Sequence, residues 1–234
     1  MRDIERLFRL VGHRGAAALA PENTLPSFAK AYECGATAIE FDVRLTRDSV
    51  PVIFHDESLE RLTGVEARLR DLSFRELREL KVLGEAQVPT LEEVLEFASG
   101  KLAVDVELKE PGAEKEVVRL LGRYCLEEES LITSFFPEIL SRVRELAPDL
   151  RLGVLLERWD EKYLDIARRV GAHAILPNYT SLTPDVVDTI KREGFALIVW
   201  TVNDPRDAAR LLRQGVDGII TDDPYRLRSV VRQL

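Results

Sequence analysis

The stretch that decides the fold is "FALIVWTVNDPRDAARLLRQGVDGIITDDP", Phe195 to Pro224. It opens on an apolar, β-rich run, "FALIVWT" (195–201), without polar alternation. Such a run suits a strand buried on both faces of a parallel sheet. Asp204 and Pro205 follow, an N-cap before a proline at the first helical position. A helical pattern then runs to Gly215, a residue suited to stopping a helix. A second apolar run, "GVDGIIT" (215–221), comes next, and Asp223 with Pro224 repeats the start signal. Strand, helix, strand and new helix make one βαβ unit.

The same beat extends back through the chain. Its earlier apolar runs are "LAVDVEL" (102–108), "SLITSF" (130–135), "RLGVLLE" (151–157) and "HAILP" (173–177). Thr183 before Pro184 marks one helix start, and Gly171 and Gly194 mark helix ends. Thr90 with Glu93, and Ser73 with Glu76, fit capping boxes. Ahead of residue 100 come "FRLVGH" (8–13), a helix near 24–34 and "TAIEFDVRL" (37–45). Eight strand–helix units predict an α/β protein of the (β/α)8 TIM-barrel class. A doubly wound open sheet is the alternative. "RLTRDSVPVIFHD" (44–56) reads as a hairpin extending the second strand. Residues 57–89 form an insertion, a short lid beside the barrel mouth. No linker or low-complexity tract interrupts residues 1–234, which read as one domain.

Composition narrows the function. The net charge is −8 and there is no basic cluster, so nucleic acid and anionic membranes are poor partners. No apolar run reaches the roughly 18 residues needed to span a bilayer. The first residues carry no signal-peptide pattern, and a cytoplasmic location is expected. Cys34 and Cys125 form no metal or redox motif and read as reduced packing residues.

Active sites of such barrels lie at the C-terminal ends of the strands. His13 and Arg14 end the first strand. Glu40 and Asp42 share one face of the second; the third carries Asp105, Glu107 and Lys109, with Glu107 and Lys109 on one face. Trp200 and Asn203 end the seventh strand, and Thr221 and Asp222 the eighth. Acids flanked by Ile39, Phe41, Val43, Val106 and Leu108 are not ordinary solvated charges. For a single such acid an ion pair is the simpler account. Three carboxylates at one mouth repel one another unless a cation sits among them, and oxygen donors favour Mg2+, Ca2+ or Mn2+ over zinc. If Asp48-Ser49 is a two-residue turn, paired positions sum to 97 and His55 faces Asp42. His13 and His55 then flank one mouth, as a general acid and base would. His173, in "GAHAIL", reads as structural.

"GHRG" (12–15), "PENT" (21–24), "EFD" (40–42), "HD" (55–56) with Leu59 and Arg61, "ELK" (107–109), "WTVN" (200–203) and "GIITDDP" (218–224) together resemble the glycerophosphodiester phosphodiesterase family. The motifs run in order over nearly the whole chain. The resemblance implies a TIM barrel that hydrolyses small-molecule glycerophosphodiesters to glycerol 3-phosphate and an alcohol, with a place in glycerol and lipid metabolism. It implies one divalent metal ion on Glu40, Asp42 and Glu107, His13 and His55 as catalytic acid–base pair, and Arg14 and Lys109 as phosphate contacts. Trp200 either flanks the substrate glycerol or plugs the barrel rim. Glu22 and Asn23 either touch metal or substrate, or cap the first helix. Phe135 either walls the pocket or packs in the core, and Asp222 orients the last loop. The family commonly has two threonines after Arg61, whereas here Leu62 precedes Thr63. A phospholipase-like enzyme on a related barrel and a non-catalytic binding module are the other classes.

Overall fold

The computed structural model describes residues 2–234, and side-chain surroundings from Ile4 onward. Eight parallel strands form the barrel: β1 (Leu10–Gly12), β2 (Ala38–Leu45), β3 (Ala103–Leu108), β4 (Ser130–Ser134), β5 (Leu152–Leu156), β6 (Ala174–Pro177), β7 (Ala196–Val199) and β8 (Gly218–Thr221). They pair in sequence order, and β1 pairs with both β2 and β8, which closes the sheet. The open-sheet alternative is thereby excluded. An outer helix follows each strand: α1 (Leu25–Glu33), α2 (Leu91–Ala98), α3 (Glu114–Arg123), α4 (Pro137–Leu146), α5 (Lys162–Val170), α6 (Pro184–Arg192), α7 (Pro205–Arg213) and α8 (Pro224–Gln233). Thr183, Asp204 and Asp223 each accept a backbone N–H of the helix they precede, and prolines open α6, α7 and α8. Both capping boxes are formed.

Strand alternation sorts the core. Outward-facing Ile39, Phe41, Val43, Val104 and Val106 pack with the helices. Inward-facing Ala38, Ala103, Ala174 and Ala196 are small at the N-terminal end of the barrel, where Ile4 and Phe8 join the interior cluster as a plug. The same inward rows turn polar toward the other end, through Glu40 and Asp42 on β2 and Asp105 and Glu107 on β3. The plug closes the bottom, so the acids have an opening only at the top.

The hairpin corrects the expected register. Val43 pairs with Ile53, Arg44 with Val52 and Leu45 with Pro51, so the sum is 96. Asp42 therefore pairs with Phe54, whose N–H donates to the Asp42 carbonyl at 2.9 Å. The loop is Arg47-Asp48-Ser49, three residues, with Ser49 at φ 62. His55 lies beyond the last paired strand residue. Residues 57–89 carry a helix (Glu60–Thr63), a 3-10 turn (Leu69–Asp71), a helix (Phe74–Leu77) and a two-stranded ribbon (Lys81–Val82 with Ala86–Gln87). Their core of Leu59, Leu62, Leu69, Leu77, Val82 and Val88 packs on Val52 and Phe54 of the hairpin.

Cys34 is buried and packs as expected, but Cys125 is exposed and not a packing residue. No helix among the described residues is long and apolar enough to cross a membrane.

Candidate active site

The loop after β1 makes a close turn. A Cβ on Gly12 would lie 2.1 Å from the Gly15 carbonyl oxygen. Gly15 has φ +90, and a Cβ there would lie 2.5 Å from Ser27 Oγ. Only glycine suits both places. Between them, the Arg14 N–H donates to Glu40 Oε2 at 2.8 Å, so the loop is tied to β2. His13 and Arg14 line a cavity of about 150 Å3 with Glu40, His55, Asp105, Glu107, Lys109, Phe135, Glu157 and Trp200. That is room for a small polar ligand rather than a single water.

Glu40, Asp42 and Glu107 each offer a carboxylate oxygen, all within 4.8 Å of one another. Asp42 is 1 % exposed, and its Oδ1 has no hydrogen bond. Lys109 Nζ is 3.3 Å from it, outside hydrogen-bonding alignment, and donates instead to Glu107 Oε1 at 2.7 Å. Burial, then the charges of Asp42, Glu107 and Asp105, push the Glu40 carboxyl well above the usual range. Burial and Asp42 raise Glu107 to about 7. Burial pushes Asp42 up too, but Lys109 and Arg14 outweigh it and hold Asp42 below the ordinary range. A buried set of oxygen donors, one oxygen lacking a partner and two carboxyls resisting ionisation, fits a hard divalent cation. The triad could hold one.

Both histidines are braced through Nδ1. His13 Nδ1 lies 2.6 Å from Asp222 Oδ1, and His55 Nδ1 lies 2.7 Å from Asp56 Oδ1. Carboxylates at Nδ1 favour the tautomer protonated there, leaving each Nε2 for chemistry. Asp222 in turn accepts from Asn203 Nδ2 at 2.6 Å. Burial pushes Asp222 up, but His13 and Asn203 outweigh it and its carboxyl lies below the ordinary range. Asp56 accepts from Arg61 Nε at 2.7 Å. Burial works against its ionisation, yet Arg61 and His55 bring Asp56 down to about 2. Burial lowers the pKa of His55, with Arg14 and Lys109 adding to it against Asp42. The His55 carbonyl accepts from Arg44 Nε at 2.7 Å, and Arg44 Nη1 pairs with Glu110 at 3.2 Å. Thus His55 reaches the cavity despite the register slip, because a buried arginine fixes its backbone.

Glu22 and Asn23 do not cap the first helix; Thr24 does. Asn23 Nδ2 donates to Asp42 Oδ2 at 2.8 Å and orients that carboxylate. Glu22 accepts from Arg14 Nη1 at 2.8 Å and from Arg61 Nη2 at 2.7 Å. Arg61 therefore joins the insertion to both the His55 brace and the Arg14 loop. Trp200 Nε1 donates to the Leu176 carbonyl at 2.8 Å, and its ring meets Phe135 edge-on at 5.8 Å. Both rings wall the cavity. His173 accepts from the Leu152 N–H at 3.3 Å, just ahead of β6 and away from the mouth.

Sequence reasoning assigned no role to Asp56, Arg44, Glu110 or Asp105. Asp56 had a local signal, adjacency to His55. Asp105 accepts from Thr133 Oγ1 at 2.7 Å and is pushed by burial to about 8. Its inward parity with Glu107 was readable, its depth was not.

The sequence profile described as the "Glycerophosphoryl diester phosphodiesterase family" matches residues 13–226. A glycerophosphodiester phosphodiesterase of Caldanaerobacter subterraneus subsp. tengcongensis is 36 % identical, over 96 % of this chain and 98 % of its own. One from Bacillus altitudinis is 31 % identical, over 97 % and 99 %. Among solved structures, an Oleispira antarctica phosphodiesterase in complex with the product sn-glycerol-3-phosphate superposes with a TM-score of 0.90 at 26 % identity, covering 98 % of this chain and 99 % of that one. A putative glycerophosphoryl diester phosphodiesterase from Silicibacter pomeroyi gives 0.88 at 29 % identity, covering 99 % and 97 %. Sequence likeness along the whole barrel and a mouth built around a buried acidic triad agree, and the chain belongs to the glycerophosphoryl diester phosphodiesterase family of enzymes.

Proposed function

We propose that this chain hydrolyses glycerophosphodiesters to glycerol 3-phosphate and an alcohol, using His13 and His55 as the acid–base pair and one divalent cation on Glu40, Asp42 and Glu107. The observation that carries the reading is the mouth itself. Two histidines, each with Nδ1 held by its own carboxylate, line one cavity with buried acids whose charge is incompletely matched. The oxygen donor set suits Mg2+ or Ca2+, and also Mn2+. When bound, the ion supplies positive charge to phosphoryl oxygens as their own negative charge grows.

Arg14 and Lys109 are proposed to hold the phosphate. Both are cations at the cavity, and both are kept charged by the acids around them. Burial works against the charge of each, but the neighbouring carboxylates, Asp42 foremost, outweigh it and raise the pKa. One histidine Nε2 takes the proton of the attacking hydroxyl, and the other gives a proton to the leaving alkoxide. Asp56 and Asp222 fix which nitrogen each ring presents and stabilise the ring when it is protonated. Arg14 and Lys109 match charge that develops in the transition state, and loss of one such donor costs roughly 2.7–4 kcal/mol in the barrier.

The test is a coupled glycerol 3-phosphate assay on several glycerophosphodiesters, with EDTA and with added divalent ions. Calorimetric titration of the ions into wild type, Glu40→Ala, Asp42→Ala and Glu107→Ala accompanies it. Release of glycerol 3-phosphate that EDTA stops, and ion binding that each variant loses, are expected. Activity untouched by EDTA, or full ion affinity in a variant, removes the cation or that ligand from the scheme.

A further inference from the structure

We propose that Arg61 is a positioning residue that holds Arg14 and His55 in one geometry through a single guanidinium. The inference rests on the phosphodiesterase reading above and adds a residue to its machinery. Arg61 comes from the insertion, on the helix Glu60–Thr63, and lies outside the cavity lining and the acidic triad. It acts on both ends of the site through carboxylates.

The guanidinium makes two forks. Nε donates to Asp56 Oδ2 at 2.7 Å and Nη2 to Asp56 Oδ1 at 3.2 Å. Nη1 donates to Glu22 Oε2 at 2.9 Å and Nη2 to Glu22 Oε1 at 2.7 Å. The two oxygens that share Nη2 are the ones that touch the site. Asp56 Oδ1 lies 2.7 Å from His55 Nδ1, and Glu22 Oε1 accepts from Arg14 Nη1 at 2.8 Å. A planar fork fixes the direction of a carboxylate as well as its distance. Asp56 therefore presents the His55 ring, and Glu22 the Arg14 guanidinium, at angles set by one shared group.

Charge gives Arg61 a second effect. Along the chain from Arg14 through Glu22 and Arg61 to Asp56, cations and carboxylates balance. Loss of Arg61 leaves one uncompensated negative charge beside the place proposed for an anionic phosphate. Burial pushes Glu22 up, but Arg61 and Arg14 outweigh it and hold its carboxyl below the ordinary range. Arg61 thus keeps Glu22 from cancelling Arg14. The alternative task for Arg61 is to pin the insertion to the barrel. The insertion has another anchor, because Leu59, Leu62 and Leu69 pack with Val52 and Phe54 of the hairpin.

The experiment measures kcat and KM, with a divalent ion present, on the best cleaved of several glycerophosphodiesters. Circular dichroism and thermal melts check the fold of each variant. Arg61→Gln should lower kcat about tenfold, short of the roughly 10²-fold that a displacement of about 1 Å can cost. It should also raise KM about threefold, the scale of one exposed charge. Arg61→Lys keeps the charge but not the forks, so KM should stay near wild type while kcat falls. Glu22→Gln added to Arg61→Gln removes the uncompensated carboxylate, so KM should return while kcat stays low. A role confined to anchoring the insertion predicts neither split. With an active wild type, kcat and KM within twofold of wild type in Arg61→Gln overturn the inference alone. So does a loss that Arg61→Lys fully restores in kcat, or one that disappears below the melting range of the variant. A wild type that releases glycerol 3-phosphate from none of the diesters overturns the phosphodiesterase reading and this inference with it.

Discussion

Glu107→Gln should make the metal-free protein more stable at pH 8 and leave it nearly unchanged at pH 4. Glu107 is buried beside Asp42, and its carboxyl is raised from 4.5 to about 7 even with Lys109 at 2.7 Å. Each tenfold change in proton affinity is worth about 1.4 kcal/mol. The ionised native state therefore carries a penalty of about 3 kcal/mol from this one group. The sign follows from proton linkage. Between about pH 4.5 and 7 the native state keeps a proton that the unfolded chain has released. Stability consequently falls as pH rises through that window and levels off above it. Glutamine is close in shape to the protonated acid and pays no such penalty. With chelator present, the variant should nearly match wild type at pH 4 and exceed it by about 3 kcal/mol at pH 8. For a chain of this size that is a rise in melting temperature of about 6–12 °C. Denaturant and thermal melts from pH 4 to 8 measure it directly. A divalent ion should reverse the order at pH 8, because wild type gains the binding free energy that the variant loses. A variant that is equally or less stable at pH 8 without metal, or a difference independent of pH, would refute the electrostatic account of the triad.

Three further outcomes are expected. His13→Ala and His55→Ala should each lower kcat at least about 10²-fold, the scale of a general acid or base, in steady-state assays; a normal rate in either removes it from the pair. Asp56→Asn and Asp222→Asn should lower kcat by about 10²-fold or more with the fold intact by circular dichroism, because an amide can stabilise the wrong ring tautomer; rates within twofold of wild type would mean the braces do not position the rings. Gly12→Ala should destabilise by about 1–3 kcal/mol in denaturant melts, since its methyl would meet the Gly15 carbonyl at 2.1 Å; an unchanged midpoint would show that the β1 loop is looser than it stands.

Much of this arrangement was legible before any coordinates. Apolar runs and capped helix starts located all eight strands to within a few residues, because strands buried on both faces leave little room for polar residues. The acids were legible because period-two alternation puts Glu40 with Asp42, and Asp105 with Glu107, on the inward rows. The hairpin register was not. Its loop has three residues with Ser49 at φ 62, and no glycine marks that left-handed position. The neighbouring Arg44, which holds the His55 carbonyl, reads in sequence as an ordinary strand charge.

By itself the sequence determined the barrel, the inward acidic rows on β2 and β3, and the glycine-bracketed pair His13-Arg14. These depend on periodicity and local backbone demands, which a linear chain records. Only the tertiary structure decided how those parts brace one another. His13 and its partner Asp222 are 209 residues apart, and they meet because β1 pairs with β8 when the barrel closes. Arg61 reaches Glu22 across 39 residues because the insertion packs on the hairpin beside the β1 loop. Contacts between distant chain segments depend on closure and packing, and no spacing within either segment encodes them.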